Sequence, residues 1–245
     1  MYKQPNRKVS FLWLSRAPYE PTWAYQEALL QYITNIKIQN RNENTAIPTP
    51  NFLIFCEHPH VYTLGKSGKS HHLLLSPEEC KQRGIEFFPI NRGGDITYHG
   101  PGQLVAYPIF DLENFQTDLN VYLRKIEEVI IQTIQHYGIQ GHRIKGLTGV
   151  WVDIEKNPRK IAAIGIRCSR WISMHGLALN VHTDLSYFQN IVPCGIADKG
   201  VTSIQEEIKQ EVNLKETMNI MKQKFSEIFE FEFVEEPFPF SFRKI

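Results

Sequence analysis

The segment from Asn91 to Phe110 reads NRGGDITYHGPGQLVAYPIF, with polar side chains set between glycines. Arg92, Asp95, Thr97, Tyr98 and His99 offer a guanidinium, a carboxylate, two hydroxyls and an imidazole. Gly93 and Gly94 permit positive φ and a close approach of backbone to a ligand. Gly100-Pro101-Gly102 turns the chain straight after the imidazole, and Leu104, Val105, Tyr107 and Ile109 then resume a buried strand pattern. Loops held by a scaffold often carry function. The segment therefore reads either as a binding loop or as a glycine-rich hairpin with polar decoration.

A thiol and an amine are the other groups with chemistry to offer. Cys56, Cys80, Cys168 and Cys194 are scattered with no C-x-x-C pair, which speaks against a disulfide framework or a zinc knuckle and for a reducing cytoplasm. A thiolate is strongly nucleophilic and its acyl product is again a thioester, yet most buried cysteines are small core hydrophobes. Cys194 sits in IVPCGI, where proline stiffens the approach and glycine leaves backbone amides accessible. Lys160 opens the apolar run KIAAIGI, and strict alternation puts it on the face of Ala162, Ile164 and Ile166. A lysine there either snorkels to solvent or has a function.

Two patterns are set aside. Gly65-Lys66-Ser67-Gly68-Lys69-Ser70 looks like a phosphate loop, but His60 and Thr63 stand where a Walker motif needs glycine. Cys56-Glu57-His58-Pro59-His60 offers metal-ligand types without a second cluster, and His71, His72 and His175 add no ligand spacing.

The elements that must position these groups are legible from periodicity. The chain has 245 residues and a net charge of +1, enough to bury a full core and without the charge excess of a nucleic-acid binder. No apolar run approaches the roughly 20 residues that span a bilayer. FLWL reads as a first strand; Trp23, Leu29, Leu30, Ile33 and Ile36 predict a helix over 22–38, and the polar 39–50 a surface loop. Strands are predicted over 51–55 and 61–64. Ser76, Pro77 and Glu79 spell a capped helix start, with a stop at Gly84. A helix over 119–137 places Leu119, Leu123, Ile126, Ile130 and Ile134 on one face. Strands near 149–154, 160–166 and 171–181 follow, then a helix over 214–229 and a final strand with a packed extension. Runs of strands broken by helices favour an α+β fold with a mixed β-sheet, read as a single domain over 1–245. The stretches 1–18 and 232–245 are its N-terminal extension with first strand and its C-terminal extension.

The order RGG-x-x-T-x-HGPGQ, GLTGVWV (146–152), KIAAIGIR (160–167), MHGLALNV (174–181), PCGI (193–196) and GVTSI (200–204) resembles the lipoyl(octanoyl) transferase family over most of the chain. The resemblance implies the biotin and lipoate protein ligase fold, with octanoyl transfer from octanoyl-acyl carrier protein to a lysine of a lipoyl domain. Acceptors would be the lipoyl domains of 2-oxoacid dehydrogenases and the glycine cleavage H protein. It implies Cys194 as the acylated nucleophile and Lys160 as the partner that lowers its pKa. It also implies an acyl site built from Arg92, Gly93, Gly94, Asp95, Ile96, Thr97, Tyr98 and His99, from Ala163, Ile164 and Gly165, and from Gly176, Leu177 and Ala178. His99 would shape the site or hydrogen-bond near the acyl carbonyl. Backbone amides at Gly195 or in the Lys160 strand are the oxyanion donors on offer. No metal, cofactor, nucleic acid or membrane is implied, and a monomer is expected. Lys66, Lys69, Arg143 and Lys145 are the cations that would steer acidic partners. Two other readings compete: an ATP-dependent ligase of the same fold, and a noncatalytic acyl- or lipoyl-domain-binding module.

Overall fold

The computed structural model describes residues 5–192 and 199–242. Its first half runs β1 (Lys8–Arg16), α1 (Tyr19–Glu43), β2 (Asn51–Glu57), β3 (Val61–Leu64), α2 (Pro77–Gln82), β4 (Glu86–Pro89), β5 (Ile96–His99), β6 (Gln103–Ile109) and α3 (Leu119–Gln135). The second half runs β7 (His142–Ile144), β8 (Leu147–Val152), β9 (Arg159–Ser169), β10 (Ile172–Asn180), β11 (Gly200–Val201), α4 (Ile204–Ile208), α5 (Leu214–Phe229) and β12 (Glu232–Val234).

One mixed sheet runs through the molecule in the order β12-β1-β2-β6-β10-β9-β8-β7, with β11 added parallel to β9. β1 lies parallel to both of its neighbours, while the steps from β2 to β7 are antiparallel. β6 and β10 are buried along their whole length, because helices cover one face and α1 with a second, three-stranded sheet covers the other. On the first face Ile126, Ile130, Met221 and Phe225 from α3 and α5 pack against Leu104, Ala106, Leu177 and Leu179. On the second, Tyr25, Leu29 and Ile33 of α1 meet Val105, Tyr107, Ile109 and Ala178. Successive residues of β6 and β10 thus feed opposite cores, the period-2 signature of a central strand. Burying each such large apolar side chain is worth about 1.5–3 kcal/mol.

Local rules fix the ends. Ser76 Oγ accepts from Glu79 N at 3.2 Å and Glu79 Oε2 accepts from Ser76 N at 2.7 Å, a complete capping box. α2 ends at Gln82, and Gly84 follows with φ 64°. The expected loop over 39–50 is shorter than its polarity suggests. α1 continues to Glu43 because Gln39 bonds Glu43 and the left-handed Asn44 closes the helix. Leu119 is not on the inner face of α3, being 38% exposed; Tyr122 and Val129 complete that face instead. α4 has no apolar period to announce it and is started by Ser203, whose Oγ accepts from Glu206 N. After β12 the chain crosses α1, where Phe238, Phe240 and Phe242 pack around Tyr25.

Candidate active site

β6, β10 and β9 form the floor of a cavity of about 310 Å³ on the α1 side of the sheet, large enough for a small organic group. Val105, Tyr107, Ala178, Asn180, Ala163 and Gly165 rise from the floor, while Arg92, Gly94, Asp95, Thr97 and His99 form the roof. Gly165 and Gly176 pair across β9 and β10. A Cβ on Gly176 would stand 2.1 Å from Ala106 O, and one on Gly165 would stand 2.8 Å from Arg92 Cδ and 2.9 Å from Gly93 O. These glycines therefore let backbone and roof come close; they are not gaps kept for a ligand.

The placement of Lys160 departs from simple alternation. Ala162 pairs with Val150 and Lys160 with Trp151, so Ile161 is an extra residue and β9 carries a bulge. Ile161 and Ala162 both enter the core under α3 and α5. Lys160 is thereby moved off the face of Ala162 and onto the cavity wall with Ala163 and Gly165. Its Nζ lies 4.6 Å from the centre of the Trp151 ring, a cation–π contact. Gly149, at φ 120°, makes the bulge possible from the other side, since a Cβ there would meet Ala162 O at 2.7 Å.

The roof is held by the glycine-lysine-serine run. Gly65 N, Lys66 N and Ser67 N donate to the carbonyls of Asp95, Arg92 and Gly94, so these amides clasp the roof and are not directed at a phosphate. The Arg92 guanidinium donates to Thr63 O at 2.7 Å and Thr63 Oγ1 at 3.0 Å. Asp95 pairs with His72 Nδ1 at 2.6 Å. That pair reaches further: His72 O accepts from Val192 N, and Leu73 bridges Ile191, so the roof carries the chain that runs up to Pro193.

Two buried histidines, His99 and His175, line this space and His58 packs beside His99; all three are neutral near pH 7. Burial first, then the neighbouring His58, lowers the His99 pKa to about 3, and burial lowers that of His58 to about 4. Burial, then Arg92, lowers His175 to about 3. His99 Nδ1 lies 2.7 Å from Gln103 Oε1, and its ring stacks on Tyr19. His58 bonds Ala17 O and Tyr107 Oη and sits 3.4 Å from Cys56, which makes the Cys-x-His run part of the packing. His175 lines the cavity although Leu177 and Leu179 point to the helix side. Its left-handed backbone, φ 58°, breaks the alternation that would have sent it there too. Asn91 Oδ1 holds its Nε2 at 2.9 Å.

Residues 18–226 match the model of the lipoyl protein ligase A/B catalytic domain. The chain belongs to this family. The octanoyltransferase of Christiangramia forsetii is 52% identical over 93% of this chain and 98% of its own. That of Flavobacterium johnsoniae is 51% identical over 94% of this chain and all of its own. Among solved structures, a lipoate protein ligase with bound lipoic acid from Thermoplasma acidophilum, described as putative, superposes with a TM-score of 0.70 at 17% identity. It covers 94% of this chain and 89% of that one, a likeness of fold.

Among the family's motifs, the roof, the β9 centre and the β10 centre converge on one cavity, and Lys160 joins them. Two of the expected acyl-site residues stand apart. Tyr98 alternates away from Thr97 and His99 and packs with Tyr62, Tyr187 and His60, its Oη 2.7 Å from His60 Nδ1. Gly93 donates its N–H to Ile166 O and serves the roof–sheet contact. Cys194 and the rest of 193–198 lie outside the described residues; Ile191 and Lys199, near either side, both line the cavity. Burial raises the thiol pKa of Cys56, Cys80 and Cys168. Tyr19, Tyr107, Trp151, Gln103 and Asn180 also line the cavity, and the sequence reading passed over them. The alternation Gln103, Val105, Tyr107 marks one face of β6 and is the signal that could have found Gln103 and Tyr107. Arg143, expected to be available for steering, is held by Glu127 and Glu128. Among the described residues no helix is long and apolar enough to cross a membrane.

Proposed function

We propose that this acyltransferase carries an octanoyl group from octanoyl-acyl carrier protein to the ε-amine of a lysine on a lipoyl domain, through a thioester on Cys194. The observation that carries the reading is the β9 bulge. It turns Lys160 into a mainly apolar cavity that Ile191 and Lys199, flanking the PCGI segment, also line. Burial raises the thiol pKa of Cys56, Cys80 and Cys168, which speaks against each of them as the nucleophile and supports Cys194 in that role.

In this reading the Lys160 ammonium favours the Cys194 thiolate. The thiolate attacks the donor carbonyl, a new C–S bond forms, and the carrier leaves as a thiol with the proton of Lys160. The acceptor lysine arrives as a neutral amine. Its nitrogen bonds to the acyl carbon, the bond to Cys194 breaks, and the now neutral Lys160 takes the surplus proton. Thiolate and ammonium are both restored, and neither nucleotide nor metal enters the balance. The floor and roof of the cavity, including Ala163 and Ala178, hold the alkyl chain. Lys66 and Lys69, next to the roof, steer the acidic partners.

The test is the intact mass of the protein after mixing with octanoyl-acyl carrier protein, without ATP or acceptor. One octanoyl group is expected on Cys194, discharged by a lipoyl domain and absent in Cys194→Ala. Acceptor modification that instead requires ATP and free octanoate, with no adduct, would replace this reading with the ligase one.

A further inference from the structure

Asn180, Gln103 and His99 form a chain of side-chain hydrogen bonds whose directions are all determined. Asn180 Nδ2 donates to the Thr202 carbonyl at 2.9 Å, so Asn180 Oδ1 is an acceptor. Gln103 Nε2 donates to that oxygen at 2.9 Å and to Tyr98 O at 3.1 Å. Reversing the Gln103 amide would set its oxygen against two other oxygens. Gln103 Oε1 is therefore the acceptor, and His99 Nδ1, 2.7 Å away, carries the proton. In a neutral imidazole the other nitrogen is then a bare lone pair. His99 is nine-tenths buried and lines the cavity.

The chain begins at the reacting end of the site. Thr202 N donates to Lys160 O, and Val201 pairs with Lys160. Asn180 pairs with Gln103, one step beyond the Leu179–Ala162 pair on the β9 side, at the level where Lys160 sits. A lone pair cannot donate to an acyl carbonyl or to an oxyanion. Among the groups of the proposed reaction the carbonyl oxygen and the thiolate are acceptors, and Lys160 serves the sulfur. The attacking amine is the donor that remains.

We propose that His99 Nε2 accepts a hydrogen bond from the acceptor lysine's amine and orients it for attack, with Gln103 and Asn180 as positioning residues that lock the imidazole in the Nδ1–H tautomer. This inference rests on the acyl-transfer reading and adds to it a site for the incoming amine, in a mainly apolar space where a misdirected amine has few other partners. It also excludes His99 as an oxyanion donor.

The experiment has two arms on the full chain. In the first, ¹⁵N-histidine spectra of the wild-type protein, assigned by difference from His99→Phe, should show Nε2 of His99 unprotonated and Nδ1 protonated. His175 supplies an internal contrast, because Asn91 Nδ2 donates to Glu27 and so Asn91 Oδ1 must accept from the His175 Nε2–H. In the second arm, loading of the enzyme by octanoyl-acyl carrier protein and discharge to a lipoyl domain are timed separately. The ratio of discharge to loading rate should fall about tenfold or more in His99→Phe, the size of one lost hydrogen bond, and should also fall in Gln103→Met, where His99 is intact but unlocked. An Nε2–H tautomer, an unchanged ratio, or equal slowing of both steps would overturn the proposal. Absence of any wild-type adduct would sink the transfer reading and the amine site with it. The tautomer spectrum is independent of that outcome and tells the two failures apart.

Discussion

Gly176→Ala tests whether the spacing of β6 and β10 is set by a missing side chain. An added Cβ would lie 2.1 Å from Ala106 O, a carbonyl in the centre of a ladder that cannot rotate away. Ordinary contact begins near 3.4 Å, so the strands must part locally by about 1.3 Å. That is over a quarter of the roughly 4.8 Å between neighbouring strands. It loosens the hydrogen bonds flanking the Leu177–Ala106 pair, each worth about 1 kcal/mol net, and adds overpacking strain of about 1–3 kcal/mol. A loss of about 3 kcal/mol is expected, which for a chain of this size lowers Tm by about 6–12 °C. Gly84→Ala is the control: its φ of 64° is strained for alanine, but nothing lies within 4 Å, so about 1 kcal/mol is expected. Thermal and urea unfolding of both variants beside wild type decide the matter. A Gly176→Ala protein that melts within about 1 °C of wild type would refute the reasoning, since the sheet could then absorb the methyl at no cost.

Three further outcomes are expected. His58, His99 and His175 have folded pKa values of about 4, 3 and 3, below the 6.5 of the unfolded chain. Below pH 6.5 the unfolded chain therefore binds protons that the folded one refuses, and stability falls as pH falls. The three together remove about 4 kcal/mol between pH 7 and 5.5, so urea midpoints that stay level over that range would contradict their burial as neutral rings. Asp95→Ala breaks the contact with His72 and should cost about 1–3 kcal/mol. Because His72 bonds Val192, it should also slow loading with octanoyl more than it lowers Tm relative to other roof variants; normal loading would detach the roof from the PCGI segment. Cys168→Ala should keep octanoyl transfer within about threefold of wild type, as expected of a half-buried thiol outside the cavity, and loss of the cysteine adduct in this variant would move the nucleophile.

Much of this architecture is legible in the chain because burial writes itself as period. α5 begins and ends at 214 and 229 as its apolar spacing predicts, and Ser76 with Glu79 declares a helix start whatever surrounds it. What the sequence hides depends on partners. The bulge at Ile161 exists only because β8 matches two of its residues to three of β9, so alternation along β9 alone assigns Lys160 to the wrong face. His175 is concealed by one left-handed residue inside a strand. Lys66 and Ser67 resemble a phosphate loop until the carbonyls of Arg92 and Gly94 supply what their amides bind. The polar end of α1 and the short α4 lack an apolar period; the first is closed by the left-handed Asn44 through its backbone amide and the second is started by the Ser203 side chain.

The parallel pairing of β1 with β12 sets a timetable for synthesis. Lys8, Val9 and Ser10 leave the ribosome well before their outer partners, Glu232, Phe233 and Val234. At about 5–20 residues per second that edge waits roughly 10–45 s for its neighbour. Over that interval Lys8, Val9 and Ser10 stand in a strand whose outer amides and carbonyls await their partners, a template for another nascent chain. The residues that close the sheet are therefore guardians of its first strand, and a chain stalled short of Glu232 is a chain prepared to aggregate.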